Sequence, residues 1–383
     1  MKVYFDNAAT TPLDKEVIEA MLPFMNEKYG NPSSIHSFGR ETRSAIENAR
    51  KTISELIRVS PGEIFFTSGG TESNNTAIRC AIEKLNLRHA ISSVIEHHAV
   101  SHTLEDLEKK KDLKISWVKL KGDGHVDMEN LEELLKANDR SLVSLMHANN
   151  EIGNLLDLAE VSALCEKYNA VLHSDTVQTM CHYVHDMQHV KVHFANCSAH
   201  KFHGPKGIGF LYVNEEIKID PFITGGTQER NMRGGTENLY GIVGMAKAFE
   251  KAHTNMKADH QHIQGLKTHM INKLKEEIPG VQFNGDIGDN SLYTVLSVSL
   301  PPMANGEMLL FNLDIVGIAA SGGSACTSGS NKKSHVLDGI GCDMNRPSIR
   351  FSFSHQNTMD EVNYCVDQLK GFVLASKKNE SVA

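Results

Sequence analysis

The chain has 383 residues, 40% of them hydrophobic, and 39 basic against 47 acidic residues leave a net charge of −8. That balance gives no footprint for a nucleic acid, and no apolar run is long enough to cross a bilayer. Single cores stop growing at about 250–300 residues, so this length implies two domains.

The opening Met1-Lys2-Val3-Tyr4-Phe5-Asp6 lacks the apolar stretch of a secretory leader. Seven cysteines, at positions 80, 165, 181, 197, 326, 342 and 365, are odd in number and openly spaced. They fit a reduced, cytoplasmic compartment better than a disulfide framework. The 20 histidines, His97, His98 and His102 among them, offer no compact Cys/His ligand set, so no metal site is expected.

Pro12–Met25 reads as a helix, with Val17, Ile18, Met21 and Leu22 on its apolar stripe. Tyr29–Ser34 is a loop by its turn chemistry, and a second helix runs over Gly39–Ile57. Glu63–Thr67 is a short strand that opens onto Ser68-Gly69-Gly70-Thr71-Glu72, and a helix follows through Leu85. Strands are expected at Ala90–Val94, Ile115–Leu120, Ser141–His147, Ala170–Ser174, Val192–Ala195 and Ile208–Val213. Helices at Val100–Lys109, Met128–Leu135 and Leu158–Tyr168 separate the earlier ones. This alternation implies crossover units and a mostly parallel sheet covered by helices on both faces. Thr236 to Leu274 is largely helical, and strands at Leu292–Ser299, Ile315–Ala320 and Ile349–Phe353 suit a smaller α+β domain. The expected division is a large domain over 15–254 and a small one formed by 1–14 with 255–383.

Two features carry chemistry. Lys201, in Ser198-Ala199-His200-Lys201, sits among small and polar residues, where a lysine can form a Schiff base with an aldehyde cofactor. Cys326, in Ser321-Gly322-Gly323-Ser324-Ala325-Cys326-Thr327-Ser328-Gly329-Ser330, lies in a glycine-serine loop that lets a thiol swing towards a substrate.

Other residues are compatible with such a site. Ser68-Gly69-Gly70-Thr71 stands at a strand-to-helix junction, where first-turn amides can bind a phosphate or simply carry an ordinary cap. It has neither the Rossmann nor the Walker spacing, which favours a small cofactor phosphate over a nucleotide. Asp175 follows an apolar strand and can pair with a protonated pyridine nitrogen or serve as a turn residue. Gln178, three positions on, can donate to a ring hydroxyl. His97 can stack on a ring or stand as a loop histidine.

The chain resembles the cysteine desulfurases of the class V aminotransferase group, in the fold-type I superfamily dependent on pyridoxal 5'-phosphate. The resemblance rests on Phe5–Thr11, Gly30–Ser34, Ser68–Asn75, Asn149–Gly153, Asp175–Gln178, Ser198–Lys201, Ser324–Ser328 and Arg350–Ser352, in that order along nearly the whole chain. It implies a large domain with a mostly parallel mixed sheet and a smaller α+β domain carrying the cysteine loop. It further implies that Lys201 binds the cofactor aldehyde, Asp175 faces the pyridine nitrogen, Gln178 the ring oxygen and His97 the ring face. Gly70, Thr71, Ser198 and His200 would surround the phosphate. Thr236, in the polar run from Gly225 to Gly235 and beyond, would reach the phosphate of a neighbouring subunit, which makes a homodimer. Asn150 and Arg350 would hold the substrate carboxylate, and Cys326 would take sulfur from L-cysteine as a persulfide.

The loop around Cys326 is similar to that of the long-loop NifS- and IscS-like enzymes. Ala199 and Ser354 stand where some relatives have glycine, and neither change removes a reacting group. The end after Phe372 is short and polar, which leaves open the sulfur acceptor: an iron–sulfur scaffold protein by default, or another thiolation pathway. Selenocysteine lyase and cysteine sulfinate desulfinase share most of this apparatus. A plain aminotransferase needs no loop cysteine, and a cofactor-free sulfur-transfer scaffold would not be yellow.

Overall fold

The computed structural model describes residues 1–304, 306–322 and 334–380, with side chains of the last stretch as far as 376. Cys326 therefore lies outside the described residues. The first half of the chain runs β1 (Val3–Tyr4), α1 (Lys15–Asn26), α2 (Ser37–Leu56), β2 (Ile64–Thr67), α3 (Gly70–Lys84), β3 (His89–Ser92), α4 (His98–Lys111), β4 (Lys114–Trp117), α5 (Met128–Lys136), β5 (Leu142–Ser144), α6 (Leu158–Lys167) and β6 (Val171–Ser174). The second half runs β7 (Phe194–Ser198), β8 (Gly209–Val213), α7 (Leu239–Glu277), β9 (Gln282–Phe283), β10 (Val295–Ser299), α8 (Leu309–Ile315), β11 (Ile318–Ala319), α9 (His335–Gly339), β12 (Ser348–Ser352) and α10 (Met359–Glu380).

Helix starts are fixed by short polar side chains that accept from first-turn amides. Asp14 accepts from Glu16, Asp127 from Glu129 and Asn130, and Asp157 from Ala159 and Glu160. β3, β5, β6 and β7 are buried at every residue, as strands covered on both faces must be. They join a seven-stranded sheet of order β2-β8-β7-β6-β5-β3-β4. Only β8 runs antiparallel to its neighbours, on both sides.

A second body is built on the antiparallel order β12-β10-β9, with β1 and β11 pairing in parallel beside it. The 39-residue α7 spans roughly 58 Å at 1.5 Å per residue and serves both cores. Leu239 to Ala252 pack with the first core, whereas Ile263 to Ile278 pack with β1, β10 and β12. Phe5 belongs to the second core, edge-on to Phe351 and Phe353 at 6.1 and 5.3 Å. Residues beyond it then run along the first body: Thr11 donates its amide to the His200 carbonyl at 2.9 Å, and Asp14 to that of His203 at 3.1 Å.

The expected strand at Ile315–Ala320 is corrected. Ile315 ends α8, Gly317 turns at φ +82, and only Ile318–Ala319 pair. An apolar run of that length does not by itself separate strand from helix end. Among the described residues no helix is long and apolar enough to cross a membrane.

Candidate active site

The C-terminal ends of the parallel strands all open on one side of the large sheet, where open α/β sheets bind ligands. β2 leads to Gly70, β3 to His97, β5 to Asn150, β6 to Asp175 and β7 to Lys201. These residues line one cavity of about 250 Å³ together with Thr71, Gln178, Ser198, His200 and Arg350. Every expected site residue converges there except two. Thr236 is exposed and lines a separate hollow with Ser68, Arg233 and Gly235, and Cys326 is outside the described residues.

Lys201 ends the single turn Ala199–Lys201 that follows β7. Its Nζ donates to the carbonyls of Ala8 at 2.6 Å and Ala9 at 3.0 Å. The Gln178 amide donates to the same Ala8 carbonyl at 3.1 Å. The segment after Phe5 thus forms the wall against which both side chains are set.

Asp175 is 6% exposed. One of its oxygens accepts from the Asn74 side chain at 2.7 Å and the other from the Val177 amide at 3.0 Å. His97 is the N-cap of α4, its Nδ1 accepting from the Ala99 amide at 3.1 Å. Capping fixes the ring at the cavity wall, and burial pulls the imidazole below its ordinary value, so the ring is neutral. His200 is likewise neutral, pushed down to about 4 by burial, with Nδ1 on the Thr10 hydroxyl.

The cradle has the form a phosphate needs. Gly69 turns at φ +144 and gives α3 no side-chain cap. A Cβ on Gly70 would meet Val177 Cγ2 at 2.7 Å, so only glycine brings this helix end so close. The first amides of a 15-residue helix open beside Thr71, Ser198 and His200. Across the cavity, the Arg350 guanidinium is buried. It donates to Asp6 at 2.7 Å and to the Asn150 carbonyl at 3.0 Å, and its Nε has no partner among the described residues.

A family model described as aminotransferase class-V matches residues 3–365. The chain belongs to that family. Cysteine desulfurase IscS of Dictyoglomus turgidum is 43% identical over 376 residues, covering 97% of this chain and 94% of that protein. A solved NifS-like protein is 37% identical with a TM-score of 0.89, over 97% of this chain and 99% of that one. A structure described as SspA in complex with cysteine is 31% identical with a TM-score of 0.80, over 92% and 99%. The mixed sheet and its helical cover are thus the fold-type I architecture, and membership implies pyridoxal 5'-phosphate as the family's cofactor. The residues present fit it: an uncapped helix end for the phosphate, a buried carboxylate for the ring nitrogen and a lysine within the same cavity.

Residue-by-residue reading missed several participants in this class V site. Asn74 lies in the recognised motif but had no role assigned. Asp6 and the Ala8 and Ala9 carbonyls meet Lys201 and Arg350 only through the fold. Glu96 is fully buried, and desolvation raises its carboxyl well above the ordinary range. Its Oε1 accepts from the Met146 amide at 2.9 Å, which ties the strand-end loop before His97 to the loop before Asn150.

Proposed function

We propose that this chain is a pyridoxal 5'-phosphate-dependent cysteine desulfurase that converts L-cysteine to L-alanine and passes the sulfur to an acceptor from Cys326. The observation that carries this is the convergence of Lys201, Asp175, His97 and Arg350 on one cavity. Gly70, Thr71, Ser198 and His200 would hold the phosphate, Asp175 the ring nitrogen, Gln178 the ring oxygen and His97 the ring face. Bound pyridoxal 5'-phosphate supplies electron withdrawal that stabilises negative charge at the substrate Cα.

The protein's own groups do the rest. Arg350 and Asn150 hold the substrate carboxylate, the planar guanidinium fork matching it geometrically. Lys201 anchors the cofactor and then takes the Cα proton. Cys326, as thiolate, forms a bond to the substrate sulfur while the substrate Cβ–S bond breaks. A proton at Cβ and return of the proton from Lys201 to Cα complete alanine, and Cys326 carries the persulfide.

The other cysteines support this assignment by their surroundings. Burial raises the thiols of Cys80 to about 11 and Cys165 to about 12, and pushes those of Cys181, Cys197, Cys342 and Cys365 up as well. Each is therefore a poor nucleophile at neutral pH.

The acceptor proposed is an iron–sulfur scaffold or another sulfur-accepting protein. A homodimer is also proposed. Its support is an apolar face left exposed by α1 at Ile18, Leu22 and Met25, with Tyr29, Ile35 and Phe38 exposed nearby in sequence. Thr236 would then reach the neighbouring subunit's phosphate. The passage of α7 from one core to the other between Ala252 and Ile263 supports a domain boundary at 254/255.

The test is incubation of the cofactor-loaded protein with L-cysteine and a thiol reductant. Alanine and sulfide are expected in equal amounts. Alanine without sulfide, or no consumption of cysteine, would overturn the reading, and turnover confined to selenocysteine or cysteine sulfinate would reassign the substrate.

A further inference from the structure

Behind Asp175 lies a set of buried amides and one imidazole with only one consistent orientation. Asn196 Oδ1 accepts from the Thr176 backbone amide at 2.8 Å. A backbone N–H only donates, so the Asn196 oxygen must face it and the Asn196 Nδ2 must face the other way. That Nδ2 donates to Asn74 Oδ1 at 2.6 Å. The Asn74 oxygen is therefore fixed, and its Nδ2 is turned to Asp175 Oδ2 at 2.7 Å.

The same oxygen of Asn74 meets His173 Nε2 at 3.0 Å. An amide oxygen only accepts, so His173 carries its proton on Nε2. Its Nδ1 then accepts from the Ser144 hydroxyl at 2.8 Å. Asn74, His173 and Asn196 are at most 1% exposed. Burial pushes His173 down to about 4, which leaves one neutral tautomer at physiological pH. Orientation thus passes from a backbone amide through two side-chain amides to the carboxylate, with an imidazole as a second lock.

We propose that Asn74, locked by Asn196 and His173, is a positioning residue that fixes how the Asp175 carboxylate faces the cavity. This rests on the reading of the cavity as a pyridoxal 5'-phosphate site and deepens it. Asn74 acts through Asp175. Without the amide, the carboxylate keeps, among the described residues, only the Val177 amide and is free to turn about its χ2.

The experiment compares the loaded unmutated protein with Asn74→Leu, His173→Leu and His173→Gln. Three quantities are read: the pH midpoint of the bound cofactor's visible absorbance without substrate, steady-state kinetics with L-cysteine, and imidazole tautomers by NMR after histidine-selective ¹⁵N labelling. N74L is expected to shift the absorbance midpoint by about half a pH unit or more. Its kcat is expected to fall ~10–100-fold with KM within ~2-fold. H173L shows the same pattern more weakly. H173Q keeps a donor within reach of Asn74 and recovers kcat to within about 3-fold. The resonance that disappears in H173Q is expected to be the Nε2–H tautomer, with and without cofactor.

An Nδ1–H tautomer at His173 overturns the proposal. So does a folded N74L protein with unchanged absorbance midpoint and kcat. If N74L does not fold, H173L carries the same comparison, and an unchanged midpoint and kcat in it overturn the proposal equally. Loaded protein that ignores L-cysteine would defeat the desulfurase reading alone, because the absorbance and tautomer measurements still decide the role of Asn74.

Discussion

Arg350 Nη2 lies 2.7 Å from Asp6 Oδ1, and this pair joins residues 344 positions apart. The same carboxylate oxygen accepts from the Ser321 hydroxyl at 2.8 Å. Asp6 begins the segment that carries Ala8 and Ala9 past Lys201, so one carboxylate sets both the guanidinium and the wall behind the lysine. The side chain of Arg350 is 2% exposed and that of Asp6 20%, so breaking the pair leaves a largely desolvated cation.

Asp6→Asn keeps the shape and removes the charge. It is expected to lower unfolding free energy by about 1–3 kcal/mol in urea melts, because the buried guanidinium loses its counter-charge. The KM for L-cysteine is expected to rise ~5–20-fold, with kcat altered less, since the fork proposed to receive the carboxylate would no longer be aimed. Wild-type stability and KM in D6N would show that Asp6 neither neutralises nor positions Arg350.

Stability should fall on mild acidification. Burial pushes His173 down to about 4 and His185 to about 3, below the ordinary imidazole value near 6.5. Below about pH 6.5 the unfolded chain therefore binds protons that the folded chain refuses. The contribution is fully present above that pH and is lost as pH falls towards the folded values, on the order of 3 kcal/mol per group. Urea midpoints at pH 7 and pH 5 check this, and H173Q should have a shallower acid slope than the unmutated protein. Equal stability at the two pH values would mean that these rings protonate in place.

The dimer makes a separate claim. Ile18, Leu22 and Met25 follow one another at helical spacing on the outer face of α1, and Leu22 is 49% exposed. Leu22→Glu costs the isolated fold little, since the side chain already faces outward. It is expected to move the protein from dimer to monomer in sedimentation and to lower activity at least ~10-fold, because Thr236 would no longer reach a neighbour. A fully active monomer would remove both the interface and the shared site.

Much of this was legible in the sequence for local reasons. Buried parallel strands are short apolar runs, and helix starts carry aspartates such as Asp127 and Asp157, so the alternation could be read residue by residue. The motif residues from Gly70 to Lys201 gather because strand ends gather, which the order of elements already implies, whereas Arg350 comes from within β12 of the second body. What escaped depends on the fold. Lys201 meets Ala8 from 193 positions away, and the orientation of Asn74 is decided by the Thr176 amide through Asn196. No local pattern encodes such relays. The strand expected at Ile315–Ala320 failed because Gly317, at φ +82, reverses the chain inside an apolar run.

The last prediction separates Lys201 from Cys326. In Cys326→Ser the described residues that line the cavity, Lys201, Asp175 and Arg350 among them, are unchanged, so L-cysteine should still bind and change the visible spectrum. Sulfur transfer should stop, because a serine hydroxyl is a weak nucleophile at its free pKa and cannot carry a persulfide. Replacement by the remaining thiols is not expected. Cys181, Cys197 and Cys365 are fully or almost fully buried and their thiols are pushed up, and Cys342 is engaged with the Asn284 side chain at 3.2 Å. Mass spectrometry after cysteine treatment should find one added sulfur on Cys326 in the unmutated protein and none in the variant, while sulfide release falls by ~10³-fold or more. In Lys201→Ala the pattern inverts: Cys326 is intact, yet the added sulfur is not expected, because the lysine proposed to anchor the cofactor and take the proton is gone. Added sulfur on Cys197 or Cys342, or normal sulfide release by C326S, would place the nucleophile elsewhere.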